Sequence, residues 1–172
     1  MTDRFLRDGR LDREPLIAEL RRFLGLVLER TRLELSYEIR QQDSSASEIE
    51  TPEIVVVFRG GDQDLLLERN AELLHAIEYI ALRWLKLDPH FYDRLRLDCG
   101  DYRALRLEEL KLSARVAAER VRETRHPFRF NPMPARERRV IHVALKDTPG
   151  VRTASEGMGD HRQVVVYPAE SR

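Results

Sequence analysis

The 172-residue sequence predicts an α/β protein in two parts, one at about residues 13–101 and one at about 102–172. Three observations lead there. Apolar residues repeat with helical spacing in some stretches and alternate in others, so both periods are present. A fresh, strongly charged helical pattern starts at Gly100-Asp101, directly after a strand-like segment and with little linker. Charge divides at the same place. Residues 1–100 carry 15 Lys and Arg against 20 Asp and Glu, and residues 101–172 carry 15 against 10, although the whole chain balances at 30 and 30. A hydrophobic content of 42% fits a folded chain, not a disordered one.

The first helix is marked by Pro15 in its opening turn, with Asp12 ahead as a possible cap. Leu16, Ile17, Leu20, Phe23, Leu24, Val27 and Leu28 make its apolar stripe. The period then switches: Leu33 to Ile39 alternates as a half-buried strand does. A polar loop runs from Gln41 to Pro52, followed by an apolar strand, Ile54 to Phe58, closed by Arg59-Gly60-Gly61. A short helix around Asp64 to Arg69 leads into a longer one at about Glu72 to Lys86, carrying Leu73, Leu74, Ile77, Ile80, Ala81 and Trp84. Leu95 to Cys99 reads as a third strand. The order is helix, strand, strand, helix, helix, strand.

In the second part a helix runs to about Arg125, with Leu105, Leu110, Ala114, Ala117, Ala118 and Val121 expected inward. His126-Pro127 stops it. Phe128-Arg129-Phe130 is a short strand, and Asn131-Pro132-Met133-Pro134 turns the chain into a helix ending near Lys146-Asp147. Arg152 to Glu156 and Arg162 to Tyr167 read as a hairpin with a loose Gly157-Met158-Gly159-Asp160 connection.

The residue inventory excludes several classes. A single cysteine, Cys99, rules out an internal disulfide and a paired-cysteine metal site, and fits a reducing cytosol. Its place in Leu95-Leu97-Cys99 makes it a buried, inert thiol. No apolar run approaches the roughly 20 residues of a membrane helix, and Met1-Thr2-Asp3-Arg4 opens no signal-peptide core. A cytoplasmic protein without membrane insertion is expected. There is no zincin motif, P-loop or nucleophile elbow, and Asp160-His161 lacks partners for a metal. No enzyme activity, cofactor or metal is expected.

One constellation stands out. Arg138 and His142 are four residues apart on a helix, so they project side by side, about 5–6 Å apart at Cβ. Val140, Ile141, Ala144 and Leu145 face the other way, so the pattern predicts an exposed pair. A fixed cationic fork beside a stackable ring suits a nucleic-acid backbone. Spacing alone leaves open ordinary solvated helix surface. The surrounding order is more specific. A long charged helix, Phe-x-Phe, Pro-x-Pro, Glu137-Arg138-Arg139-Val140-Ile141-His142, Pro149-Gly150-Val151, Ser155-Glu156-Gly157 and Arg162 together resemble an R-3-H domain over about residues 102–168. The resemblance implies binding of single-stranded nucleic acid. Arg138 would hold a phosphate; His142 would stack on a base or donate to a phosphate. Arg139, Arg136, Arg152 and Arg162 would add positive charge.

With that resemblance in place, the first element order is similar to a prokaryotic-type (type II) KH domain. KH followed by R-3-H resembles the Jag family of bacterial RNA-binding proteins. Asp62, Leu65-Leu66-Leu67 and Leu74-His75-Ala76-Ile77-Glu78-Tyr79-Ile80 follow the family's helix-loop-helix. Members usually carry a further N-terminal domain and linker, so a shortened member is expected. A KH domain grips the sugar-phosphate backbone with a Gly-x-x-Gly loop, and here those positions are Glu68, Arg69, Asn70 and Ala71. The loop is degenerate, and Glu68 places a carboxylate where phosphate should sit. The expected function is single-stranded RNA binding, with DNA as the lesser candidate, in post-transcriptional regulation. The alternative is a protein adaptor whose KH face meets a KH-containing partner or a second copy.

Overall fold

A computed structural model describes residues 4–7, 10–42 and 52–169. The chain divides into two compact units, Met1–Tyr102 and Arg103–Arg172.

The first unit opens with a small hairpin, β1 (Leu6–Arg7) and β2 (Arg10–Leu11), which the sequence pattern did not announce. Helix α1 (Arg13–Thr31) buries Leu16, Leu20, Phe23 and Leu24 and ends at Arg32, whose left-handed backbone (φ 57°) returns an N–H to the Leu28 carbonyl. Strand β3 (Leu35–Gln41) pairs antiparallel with β4 (Ile54–Gly60), and β5 (Leu95–Cys99) pairs parallel with β4, giving the order β3-β4-β5. Of the predicted polar loop between β3 and β4, residues 43–51 lie outside the described residues.

Parallel β4 and β5 need a long crossover, and α2 (Gln63–Trp84) supplies it. It is interrupted at Glu68–Ala71: Glu68 is extended, and Arg69, Asn70 and Ala71 are left-handed with φ of 50°, 60° and 60°. The first helical stretch therefore stops before Glu68, short of the predicted Arg69. Leu66, Leu74, Ile77 and Ala81 from this helix meet Val56, Phe58, Leu95 and Leu97 in one core. Each fully buried Leu, Val, Ile or Phe there contributes about 1.5–3 kcal/mol. Leu73, Ile80 and Trp84 stay partly exposed, and the Trp84 indole donates to Glu19 at 3.0 Å. Glu78, buried in the same helix, accepts the Leu97 N–H at 2.8 Å, which supplies β5 with a partner on the side away from β4. Cys99 is buried, and burial raises its thiol pKa, in keeping with an inert group.

In the second unit α3 (Tyr102–Thr124) buries Leu110, Ala114, Ala117, Ala118 and Val121. Leu105 does not join them and is 70% exposed. The buried positions repeat at three and four residues, and a residue five before Leu110 falls on the opposite side of a 3.6-residue helix. Strand β6 (Phe128–Arg129), helix α4 (Ala135–Leu145), β7 (Val151–Glu156) and β8 (Gln163–Pro168) follow. The sheet order is β6-β8-β7, antiparallel throughout, with Val166 between Phe128 and Thr153. Val164, Val165 and Val166 of the central strand are fully buried.

Candidate nucleic-acid interface

Helix α4 packs on β7 and β8 through Val140, Ile141 and Leu145, which are buried. Its first turn carries Glu137, an acidic residue where the helix dipole favours one. That carboxylate is tied to Arg106 of α3 at 2.8 Å, with both side chains mostly covered. Burial opposes the Arg106 charge, but its bonds to Glu137 and Glu109 outweigh burial and raise its pKa.

The next residue, Arg138, donates Nε to the Met133 carbonyl at 3.3 Å. The Met133 N–H in turn donates to the carbonyl of Arg162, 3.2 Å away. Met133 thus links the Arg138 side chain to the backbone of Arg162, which is exposed. Partial burial lowers the Arg138 pKa first, and repulsion from Arg162 lowers it further. Arg139 is exposed and Arg136 half-buried on the same helix.

His142 departs from the sequence expectation. It is half-buried, not exposed, because β7 passes across its ring. Its Nδ1 lies 2.7 Å from Thr153 Oγ1 and its Nε2 lies 2.9 Å from Ser155 Oγ. Thr153 and Ser155 are two apart on a strand and so point to one face. Burial lowers the His142 pKa, and Arg138 lowers it further.

The same alternation sends Arg152 to the other face of the sheet. There its guanidinium lies 4.5 Å from the Tyr167 ring centroid, away from Arg138. Beside it Glu156 accepts hydrogen bonds from the Tyr167 hydroxyl and from Arg129 Nη1, the latter at 2.7 Å, and both lower its pKa. Gly157 has φ of +89°, and a Cβ there would lie 2.5 Å from the His161 carbonyl oxygen. Each residue of Ser155-Glu156-Gly157 therefore has a distinct structural task. Thr153 and Arg106 are the parts of this surface absent from the sequence motifs, whereas Ser155 and Glu137 belong to them without their partners being evident. The two-residue period of β7 puts Thr153 on the same face as Ser155 and is the signal that could have found it.

At the other candidate position, Glu68, Arg69 and Asn70 are exposed and Ala71 is buried. Arg69 reaches Glu72 at 3.9 Å, an exposed and weak pairing. No group of three or more His, Cys, Asp or Glu residues among the described residues could hold a metal ion. No described helix is long and apolar enough to cross a membrane.

A helix pair, a three-stranded antiparallel sheet and an Arg/His pair at i and i+4 define the class of the second unit: residues 108–168 match the model of the R-3-H domain. Similarity to individual proteins extends further. The chain is 31% identical over 114 residues to the RNA-binding protein KhpB of Clostridium symbiosum, covering 66% of this chain and 51% of that protein. Against KhpB of Bacillus subtilis the identity is 31% over 104 residues, covering 59% and 50%. Against KhpB of Lactiplantibacillus plantarum it is 34% over 104 residues, covering 60% and 32%. The matched stretch spans about half, or less, of the length of these curated relatives.

Proposed function

We propose that this chain binds single-stranded RNA, with Arg138 and Arg162 of the R-3-H unit as the main contact. One observation carries the reading. Arg138 Nε and the Arg162 backbone carbonyl both bond to Met133, and the charge of exposed Arg162 opposes that of Arg138, whereas Arg106 and Arg129 in the same unit are each held by a glutamate. Repulsion between positive charges is relieved by an anion, and a phosphate matches the forked geometry of arginine. Arg139 and Arg136 add positive charge along the helix. Arg152 serves the opposite face. Affinity is modest, salt-dependent and weakly selective for sequence.

The function is non-catalytic and belongs to post-transcriptional regulation in the bacterial cytoplasm, as a Jag-type protein. The order α-β-β-α-α-β, with one antiparallel and one parallel pairing, supports a type II KH reading of residues 13–101 ahead of the R-3-H domain at 102–172. Its loop departs from Gly-x-x-Gly at Glu68–Ala71, so the KH groove contributes little to RNA affinity. The names of the relatives favour RNA binding over the adaptor reading. A titration of a labelled single-stranded RNA followed by fluorescence anisotropy tests the proposal. Arg138→Ala and Arg162→Ala should each weaken binding, and absence of wild-type binding at low salt would sink it.

A further inference from the structure

We infer that His142 is a positioning residue and not an RNA contact: it locks α4 to β7 through Thr153 and Ser155 so that Arg138 is presented beside Arg162. The inference rests on the proposed RNA contact at Arg138. A neutral imidazole has one N–H and one lone pair in its plane, while a hydroxyl can donate or accept. With Thr153 Oγ1 at 2.7 Å and Ser155 Oγ at 2.9 Å, either tautomer is satisfied and both ring nitrogens are occupied within the domain. For the ring to donate to a phosphate it must give up a strand hydrogen bond. Turning it cationic adds a second charge next to Arg138, the charged group that acts on it, in a site where burial already opposes charge.

The placement of the two polar ties explains the spacing of the motif. Helix α4 has only 11 residues, and apolar packing by itself is non-directional, so it leaves a short helix free to roll by small angles. Glu137, bound to Arg106, fixes the first turn. His142, bound to β7, fixes the helix five residues later. Arg138 lies between the ties and on the same side as His142, four residues back. Its Nε donates to the Met133 carbonyl, and the Met133 N–H donates to the backbone carbonyl of Arg162. Rolling α4 would break this short relay and separate the two cations. The histidine therefore acts through Arg138 and does not touch RNA.

The test compares the full chain with His142→Gln, His142→Ala, the isosteric pair Thr153→Val/Ser155→Ala, and Arg138→Ala. The probe is a labelled oligouridine at several salt concentrations and at pH 6 to 8. The hydroxyl pair and His142→Ala should each weaken binding about tenfold, the scale of one or two lost hydrogen bonds. Combining them should cost no more than either alone, and His142→Gln should recover part of the affinity. Their salt slopes should match the wild type, whereas Arg138→Ala should be shallower by about 0.7, the value for one phosphate on a single strand. The pH profiles of wild type and His142→Gln should run parallel above about pH 6.5, the ordinary histidine value. A direct contact gives the opposite result: a shallower slope for His142→Ala, additive losses, or tighter wild-type binding below pH 6.5 that His142→Gln abolishes. If the wild type does not bind at all, the RNA reading fails separately. Amide hydrogen exchange of the free chain then decides the remaining point. Joint loss of protection in α4 and β7 in the hydroxyl pair supports the lock, and unchanged protection overturns it.

Discussion

Two glycine-to-alanine substitutions should move stability in opposite directions. At Gly157 the backbone is left-handed, with φ of +89°, and an added Cβ would sit 2.5 Å from the His161 carbonyl oxygen and 3.2 Å from the Arg162 Cα. Both neighbours are backbone atoms, so the chain itself must shift. A left-handed non-glycine residue costs roughly 1–2 kcal/mol, and crowding of this kind adds roughly 1–3 kcal/mol. Reduced freedom of the unfolded chain returns about 0.4–1 kcal/mol. The net loss is about 1–5 kcal/mol for Gly157→Ala. Gly25 lies within α1, where an added Cβ meets nothing within 4 Å, so Gly25→Ala should gain about 0.5–1 kcal/mol. Urea denaturation measures both. The single tryptophan, Trp84, follows the first unit by fluorescence, and circular dichroism follows both units. A loss below about 1 kcal/mol at Gly157, on the scale of the values just used, would refute the strand-end geometry assigned to Ser155-Glu156-Gly157.

Three further outcomes are expected. Glu137→Gln leaves the mostly covered Arg106 guanidinium without its nearest carboxylate and should cost about 1–3 kcal/mol in urea denaturation. Because the folded pKa of His142 is lowered, the unfolded chain binds its proton first as pH falls. The stabilisation from neutral His142 is complete above about pH 6.5 and is lost as pH falls from there through the lower folded value. The stability gap between wild type and His142→Gln, read from urea midpoints between pH 8 and 5, should therefore narrow on acidification. Glu68→Gly/Ala71→Gly should strengthen RNA binding severalfold, since a bare backbone admits phosphate. No gain in an anisotropy titration would mean that this loop is closed to RNA for another reason.

How far the sequence disclosed this depends on whether the cause of a feature is local. The strands at Ile54 to Phe58 and Leu95 to Cys99, and α1 with its Pro15 entry, follow from patterns within a few residues of each other. The β1–β2 hairpin has two-residue strands, too short for a period to show. Leu105 was drawn inward by hydrophobicity alone, although its phase relative to Leu110 and Ala114 already placed it outside. The R-3-H match over residues 108–168 follows the order of motifs around Arg138. The environment of His142 was not legible, because its partners lie 11 and 13 residues away on a strand whose packing against α4 is tertiary. Its position opposite Val140 and Ile141 suggested solvent, and β7 occupies that space. Arg152 carried a usable signal: it sits between Val151 and Thr153, and alternation puts it on the face away from His142. The bond from Leu97 to Glu78 joins a strand N–H to a helix carboxylate 19 residues earlier, and no local pattern encodes it.

We propose that positive charge at Arg138 and Arg162 holds the phosphate backbone of single-stranded RNA. It is tested most directly by the salt dependence of binding of a labelled single-stranded RNA to the wild type and to Arg138→Ala. Wild-type binding at low salt with a negative slope of log affinity against log salt is expected, with a slope shallower by about 0.7 in the variant. Equal slopes for the two proteins, or no wild-type binding at low salt, would contradict it.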